Sequence, residues 1–209
     1  MTMSRISKEE YLADPCSASS LPFWKTEQFA VPENVSVFRD DEFDKEKCPG
    51  TDERYFKLIH DLRSIPRPVL PKGYELTAAG PEELAEHINA CYTEERVTAE
   101  ELAGYAGQET YDAELWIAVR ERATGKIAAS GIGAFDARIG EGILDWIEVS
   151  PACRRRGLGR FIVCELLGRL SGKADLATVS GRMDNDTDPF ALYVSCGFVH
   201  PVIWHVVRT

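Results

Sequence analysis

Apolar residues change their spacing several times along the 209-residue chain, and each change marks a predicted element. Leu115-Trp-Ile-Ala-Val-Arg, Ile127 to Phe135 and Gly142 to Val149 are short apolar runs between turn formers, which predicts strands. Ala123-Thr-Gly-Lys supplies the tight turn between the first two. Tyr74-Glu-Leu-Thr, Ala174 to Ser180 and Val202 to Val207 read as further strands. Pro81 to Tyr92 has helical spacing, with Leu84, Ile88 and Cys91 along one face and Pro81 suited to the first turn. Thr98 to Tyr105 is a short helix with Thr98 as cap and Glu101 three residues on. Gly157 to Leu170 is a longer one, directing Leu158, Phe161, Ile162, Leu166 and Leu170 inward, and a last helix lies around Phe190 to Ser195. Strands alternating with helices predict an α/β (or α+β) domain built on a mixed sheet.

The region before Tyr74 has a different character. Ser7-Lys8-Glu9-Glu10 has capping-box spacing, which predicts a short helix ending before Pro15. Thr51 is placed to cap a second helix, on which Tyr55, Leu58, Ile59 and Leu62 would share a face. Pro66, Pro68, Pro71 and Gly73 favour extended backbone and mark a linker. Leu21, Phe23, Trp24, Phe29, Val31, Val37, Phe38 and Phe43 are too many large apolar groups for a solvated tail. Residues 1–73 are therefore expected to form an extension packed on a main domain spanning 74–209.

A net charge of -10 argues against a sequence-independent grip on nucleic acid or on an anionic membrane. No apolar run approaches the roughly 20 residues of a membrane span, and the first ten residues lack the apolar stretch of a secretory signal. Cys16, Cys48, Cys91, Cys153, Cys164 and Cys196 are scattered, without C-x-x-C pairs or His at metal-ligand spacing. The expectation is reduced thiols in a cytoplasmic protein with no metal.

One stretch carries candidate chemistry: Val149-Ser-Pro-Ala-Cys-Arg154-Arg155-Arg156-Gly157-Leu158-Gly159-Arg160. It falls where a strand ends and a helix begins, a place where free backbone N–H groups and the helix dipole favour a phosphate. Gly157 and Gly159 let a pyrophosphate approach the backbone, and Arg154, Arg155, Arg156 and Arg160 add charge-assisted contacts in an otherwise acidic chain. A P-loop would need Lys-Ser/Thr after its last glycine, where Arg160-Phe161 stands. A dinucleotide fingerprint would need a third glycine at Ile162.

Arg154, Gly157 and Gly159 match (Arg/Gln)-x-x-Gly-x-(Gly/Ala) after a strand ending in Val-x-Pro, and Asn185, Ala191-Leu192-Tyr193 and Cys196-Gly197-Phe198 follow downstream. In these motifs the chain resembles the GCN5-related N-acetyltransferase superfamily over roughly Tyr74 to Thr209. It departs from the common pattern in having Arg155 where many members have Gly, and in placing Asn185 one residue further from Tyr193. The resemblance implies a sheet in which two parallel strands splay apart around the pantetheine arm of acetyl-CoA. It also implies a hydrogen bond from that arm to the backbone near Val149, and a pyrophosphate on Arg154 to Arg160, with Leu158 inside that turn.

The same resemblance implies direct attack of a primary amine on the thioester, with Tyr193 donating a proton to the leaving sulfur. The general base falls first to Asp145, an acid unexpected among Ile143, Leu144, Trp146 and Ile147, with Glu148 in reserve and a water relay third. Both acids lie on the strand leading to Val149, and alternation predicts that they point to opposite faces. Cys153, Cys164 and Cys196 are read as packing residues, and His200 and His205 by default as structural histidines, with a place lining the acceptor side as the alternative. Glu82, Glu83, Glu86, Glu94, Glu95, Glu100, Glu101, Glu109, Asp112 and Glu114 precede the first long strand, with Arg96 the sole base among them. Solvated helix faces account for them, and an attraction for a cationic acceptor is the functional alternative. Other readings are a non-catalytic acyl-CoA sensor or a transferase using another acyl donor, with homodimerisation left open.

Overall fold

Backbone hydrogen bonds in the computed structural model, which describes residues 6–92 and 96–209, define seven α-helices and eight β-strands among those residues. The chain is α/β, with its strands flanked by helices, and it divides into two compact units. One comprises residues 1–60 and 178–209, the other Asp61–Ala177.

In the second unit the strand order is β6-β5-β4-β3, where β3 is Tyr74–Ala78, β4 Trp116–Glu121, β5 Ile127–Asp136 and β6 Glu141–Val149. The three neighbouring pairs are antiparallel. Helices α4 (Pro81–Cys91) and α5 (Ala99–Ala106) cover one face. There Leu84, Ala85 and Ile88 of α4 and Leu102 of α5 bury against Trp116 and Ile132. The expected capping box at Thr98 and Glu101 is present. Helix α6 (Leu158–Leu170) covers the opposite face, close enough that a Cβ on Gly131 would stand 2.5 Å from Ile162. Gly131 is thus a contact point where α6 meets the bare backbone of β5.

In the first unit the order is β1-β8-β2-β7, with β1 Val35–Arg39, β2 Thr51–His60, β7 Leu176–Arg182 (which starts in the other unit) and β8 Val199–Arg208. The region before Tyr74 does more than pack on the sheet, because β1 and β2 both pair with β8. Residues 51–60 are therefore a strand and not the expected helix. The apolar positions fit both periods, but Phe56, Leu58 and His60 bury at a spacing of two, and pairing with β8 decides the outcome.

Lys57 points to the other face of β2 and is 1% exposed. Its ammonium donates to Tyr11 Oη (2.9 Å), the Ser19 carbonyl (2.9 Å) and the Leu21 carbonyl (2.8 Å). Three acceptors offset the desolvation of a buried cation, and they tie α1 (Lys8–Ala13), α2 (Pro15–Ala18) and the segment before α3 (Phe23–Gln28) to the strand. Trp204 of β8 adds an indole N–H bond to the Cys16 carbonyl at 3.0 Å. His205 sits between Asp52 and Asp40 and stacks on Phe43, a structural role as expected.

Candidate functional site

The antiparallel ladder between β5 and β6 is interrupted near the end of β6, ahead of the arginine loop. Ser130 faces Glu148 and Ile132 faces Asp145, so Trp146 and Ile147 together oppose Gly131. This is a β-bulge, and Trp146 adopts the positive φ of 46° that accommodates the extra residue. The bulge corrects the expectation that Asp145 and Glu148 point to opposite faces. Their partners Ile132 and Ser130 are two apart on β5, so both carboxylates lie on its α4 side. Asp145 is half-buried, and its Oδ1 accepts the Trp146 N–H at 3.1 Å, a contact that helps hold the bulge. Glu148 is 8% exposed.

After Val149 the chain makes a short 3-10 turn, Pro151–Cys153, and then enters α6. Arg154, Arg155, Arg156, Gly157 and Arg160 are exposed. Gly157 is the N-cap residue of α6, at φ 83°, and it offers no side-chain cap to the first-turn N–H groups. A Cβ built on it would meet nothing within 4 Å, so the space beside the helix start is open. Leu158 is buried, which leaves its backbone N–H as its contribution to any ligand. The N–H groups at the start of a helix carry no intrahelical partner and face outward with the positive end of the dipole.

Two of the arginines also brace the loop. Arg154 Nε donates to the Val149 carbonyl (3.3 Å). Arg156 donates to Tyr74 Oη (2.9 Å) and to the Ala152 carbonyl (3.0 Å), and the Tyr74 hydrogen bond raises its pKa further above the ordinary arginine value. Arg155 takes a positive φ of 61°, as a tight turn before Gly157 requires. The set fits a pyrophosphate: uncapped N–H donors, an open approach at a glycine and four nearby guanidinium groups.

Helix α4 brings a cluster to this strand end that spacing along the chain does not advertise. His87 lies between Ser130 (Nδ1 to Oγ, 2.8 Å) and Ser150 (Nε2 to Oγ, 2.9 Å), and Cys91 Sγ is 3.7 Å from His87 Nε2. Burial lowers the His87 pKa to about 4. Burial and the charge of Glu148 push the Cys91 thiol up to about 12, against a smaller opposing effect of Arg154. Both groups are thus neutral at physiological pH. The i, i+4 spacing of His87 and Cys91 was the available signal, and only the fold shows which strands they face.

The downstream motif residues lie in the first unit. Tyr193, on α7 (Pro189–Ser195), is buried, with ring centroids 6.0 Å from Phe56 and 5.6 Å from Phe198. Asn185 Oδ1 accepts the Thr187 N–H (2.9 Å) and hydroxyl (2.7 Å), shaping the turn before α7.

The acidic residues around α4 and α5 divide by local task. Glu83 pairs with Arg120, Asp112 with Lys173, and Glu101 completes its cap. Glu94 and Glu95 lie outside the described residues. All six cysteines are free, and no group of three His, Cys, Asp or Glu among the described residues is placed to hold a metal ion. No helix among them is long and apolar enough to cross a membrane.

No protein-family model matches the sequence, and no curated protein matches it. Solved structures do match the fold. A GCN5-related N-acetyltransferase from Sphaerobacter thermophilus aligns with TM-score 0.63 at 22% identity, over 76% of this chain and 53% of that one. A GNAT-family acetyltransferase from Colwellia psychrerythraea gives 0.59 at 13%, over 84% and 65%. A GCN5-related N-acetyltransferase from Kribbella flavida gives 0.56 at 15%, over 83% and 67%. This chain thus spans about half the length of the Sphaerobacter protein. By its architecture, the chain has the fold of the GCN5-related N-acetyltransferases.

Proposed function

We propose that this protein transfers the acetyl group of acetyl-CoA to a primary amine. The observation that carries the reading is the start of α6, an uncapped helix N-terminus with an open glycine at φ 83° amid exposed arginines. The pyrophosphate binds the N–H groups of Leu158 to Arg160, with Arg154, Arg155, Arg156 and Arg160 around it. Val149 supplies backbone to the pantetheine arm, and Asn185 supports the cofactor through the turn it shapes.

The amine nitrogen attacks the thioester carbon and the C–N bond forms as the C–S bond breaks. The proton lost from nitrogen passes to a carboxylate, and the thiolate takes a proton from the Tyr193 phenol. Of the two acids, Glu148 is assigned as the base. Glu148 is the nearer of the two to the cofactor loop, on the short segment that leads into it.

Thiol release from acetyl-CoA with a panel of amines, and with succinyl-CoA as alternative donor, tests the activity. A carboxylate base must be ionised, so kcat/KM falls as pH drops through its pKa. Glu148→Gln is expected to lower kcat/KM at least about ten-fold and to remove that acid limb, while Asp145→Asn keeps it. The reverse pattern assigns Asp145. CoA-dependent stabilisation without turnover of any amine would replace the enzyme reading with an acyl-CoA sensor.

A further inference from the structure

The hydrogen-bond chain through His87 runs in a single direction. Ser150 has one hydroxyl proton, and the Ile127 carbonyl, 3.1 Å from its Oγ, can only accept, so the arrangement that satisfies this carbonyl gives it the proton. Its oxygen can then only accept from the imidazole, which puts the ring proton on Nε2. In the neutral ring Nδ1 carries a lone pair and accepts from the Ser130 hydroxyl. The order Ser130 to His87 to Ser150 to Ile127 uses each hydroxyl proton once.

What this chain holds follows from the bulge. Beyond it, pairing with β5 resumes for only a short stretch: Glu148 opposite Ser130, Val149 opposite Ala129, and the Ser150 N–H on the Ala128 carbonyl at 2.9 Å. A segment so short, with a bulge before it and a loop after it, has little ladder of its own. His87 bonds to β5 at Ser130 and to the segment's end at Ser150, from a helix buried against the same face. We infer that His87 is a positioning residue that fixes Glu148, Val149 and Ser150 against β5 through its Nε2–H form, and so places both the base and the first residue of the cofactor loop.

The charged and titratable groups around it agree with that role. Cys91 on the same helix stays a thiol, so it withdraws no proton from the ring. Glu148 from β6 and Arg154 from the loop oppose one another in their effect on Cys91. Burial keeps the imidazole neutral across the physiological range.

The effect on turnover rests on the acetyltransferase reading, but the positioning itself does not, and the tests separate them. Long-range proton–nitrogen spectra of the labelled protein, with His87→Gln identifying the signal, are expected to show His87 as the Nε2–H tautomer from pH 5 to 8 (roughly, given the ordinary histidine pKa near 6.5). A dominant Nδ1–H form, or a ring titrating near that ordinary value, overturns the inference. Amide exchange at Ser150 is expected to speed at least about ten-fold in His87→Phe, which has no ring nitrogen. It should recover in His87→Gln, whose amide both accepts and donates. Unchanged exchange in His87→Phe also overturns it. In turnover, His87→Phe should lower kcat about ten-fold, shift the acid limb and raise the KM for acetyl-CoA about three-fold, with His87→Gln in between. A fast-exchanging His87→Phe with wild-type kcat and pH profile would reject the placement of the base. Absence of turnover in the wild type would reject the acetyltransferase reading alone, leaving exchange and tautomer to decide the positioning.

Discussion

The Arg156 guanidinium donates to the phenolic oxygen of Tyr74 at 2.9 Å, joining the loop before α6 to strand β3 across 82 residues of sequence. Under the proposed function this arginine would act on the pyrophosphate both by charge and by ordering the loop. Tyr74→Phe removes only the hydroxyl and is expected to weaken CoA binding by roughly two- to five-fold, through loop order alone. Arg156→Ala should weaken it further, and the double variant should equal Arg156→Ala. Calorimetric titration with CoA measures all three. Additive losses would show that the bond to Tyr74 does not serve the loop.

Gly157 stands where L-residues are strained, and open space lies beyond it. A side chain there costs about 1–2 kcal/mol in backbone strain and occupies the phosphate approach. Gly157→Leu is expected to lower Tm modestly in the free protein and to abolish the upward shift that CoA produces in the wild type. Gly159→Val, at the second residue of α6, should likewise remove the CoA-dependent shift. If both variants keep the full shift, the pyrophosphate binds elsewhere.

Tyr193 combines a packed ring with the hydroxyl assigned to protonate the leaving thiolate. Phe at this position keeps the contacts to Phe56 and Phe198, so Tyr193→Phe should still fold. Its kcat is expected to fall about ten-fold or more, with CoA affinity nearly unchanged. Tyr193→Ala empties a buried site and should cost about 3–5 kcal/mol of stability, as aromatic-to-alanine changes in cores do. A Phe variant with wild-type kcat would make Tyr193 a packing residue only.

These sites were legible in the sequence to different depths. Local chemistry announced α5 through Thr98 and Glu101, and α6 through its glycines and apolar face, because caps and periodicity act within a few residues. The arginine loop was visible for the same reason. Residues 51–60 misled because their apolar positions satisfy two periods, and the choice was made by β8, nearly 150 residues away. The common face of Asp145 and Glu148 depends on a bulge at Trp146 that no residue type there demands. His87 showed in the sequence only through its i, i+4 spacing to Cys91, since its partners Ser130 and Ser150 lie 43 and 63 residues off and are ordinary serines.

The buried imidazole also leaves a signature in stability against pH. Its pKa in the folded protein is lowered to about 4 by burial, below the ordinary value of about 6.5. Between those values the unfolded chain binds a proton that the folded protein does not, so stability rises with pH across that window and is lost as pH falls through it. The slope from one such group is at most about 1.4 kcal/mol per pH unit. Carboxylates behave differently. Glu10 and Glu101 are held below their usual range chiefly by the backbone N–H groups of Ser7 and Thr98, and what they contribute is lost only below about pH 4.3. The upper part of the window, from about 5.5 to 6.5, therefore isolates His87 from these caps. Gln keeps a donor and an acceptor but does not titrate, so urea denaturation of His87→Gln should show a flatter dependence than the wild type there, with the two curves converging toward acid. Parallel curves across the interval would mean that the ring takes up its proton inside the folded protein without resistance, and the neutral hydrogen-bond chain from Ser130 to Ile127 would fail with it.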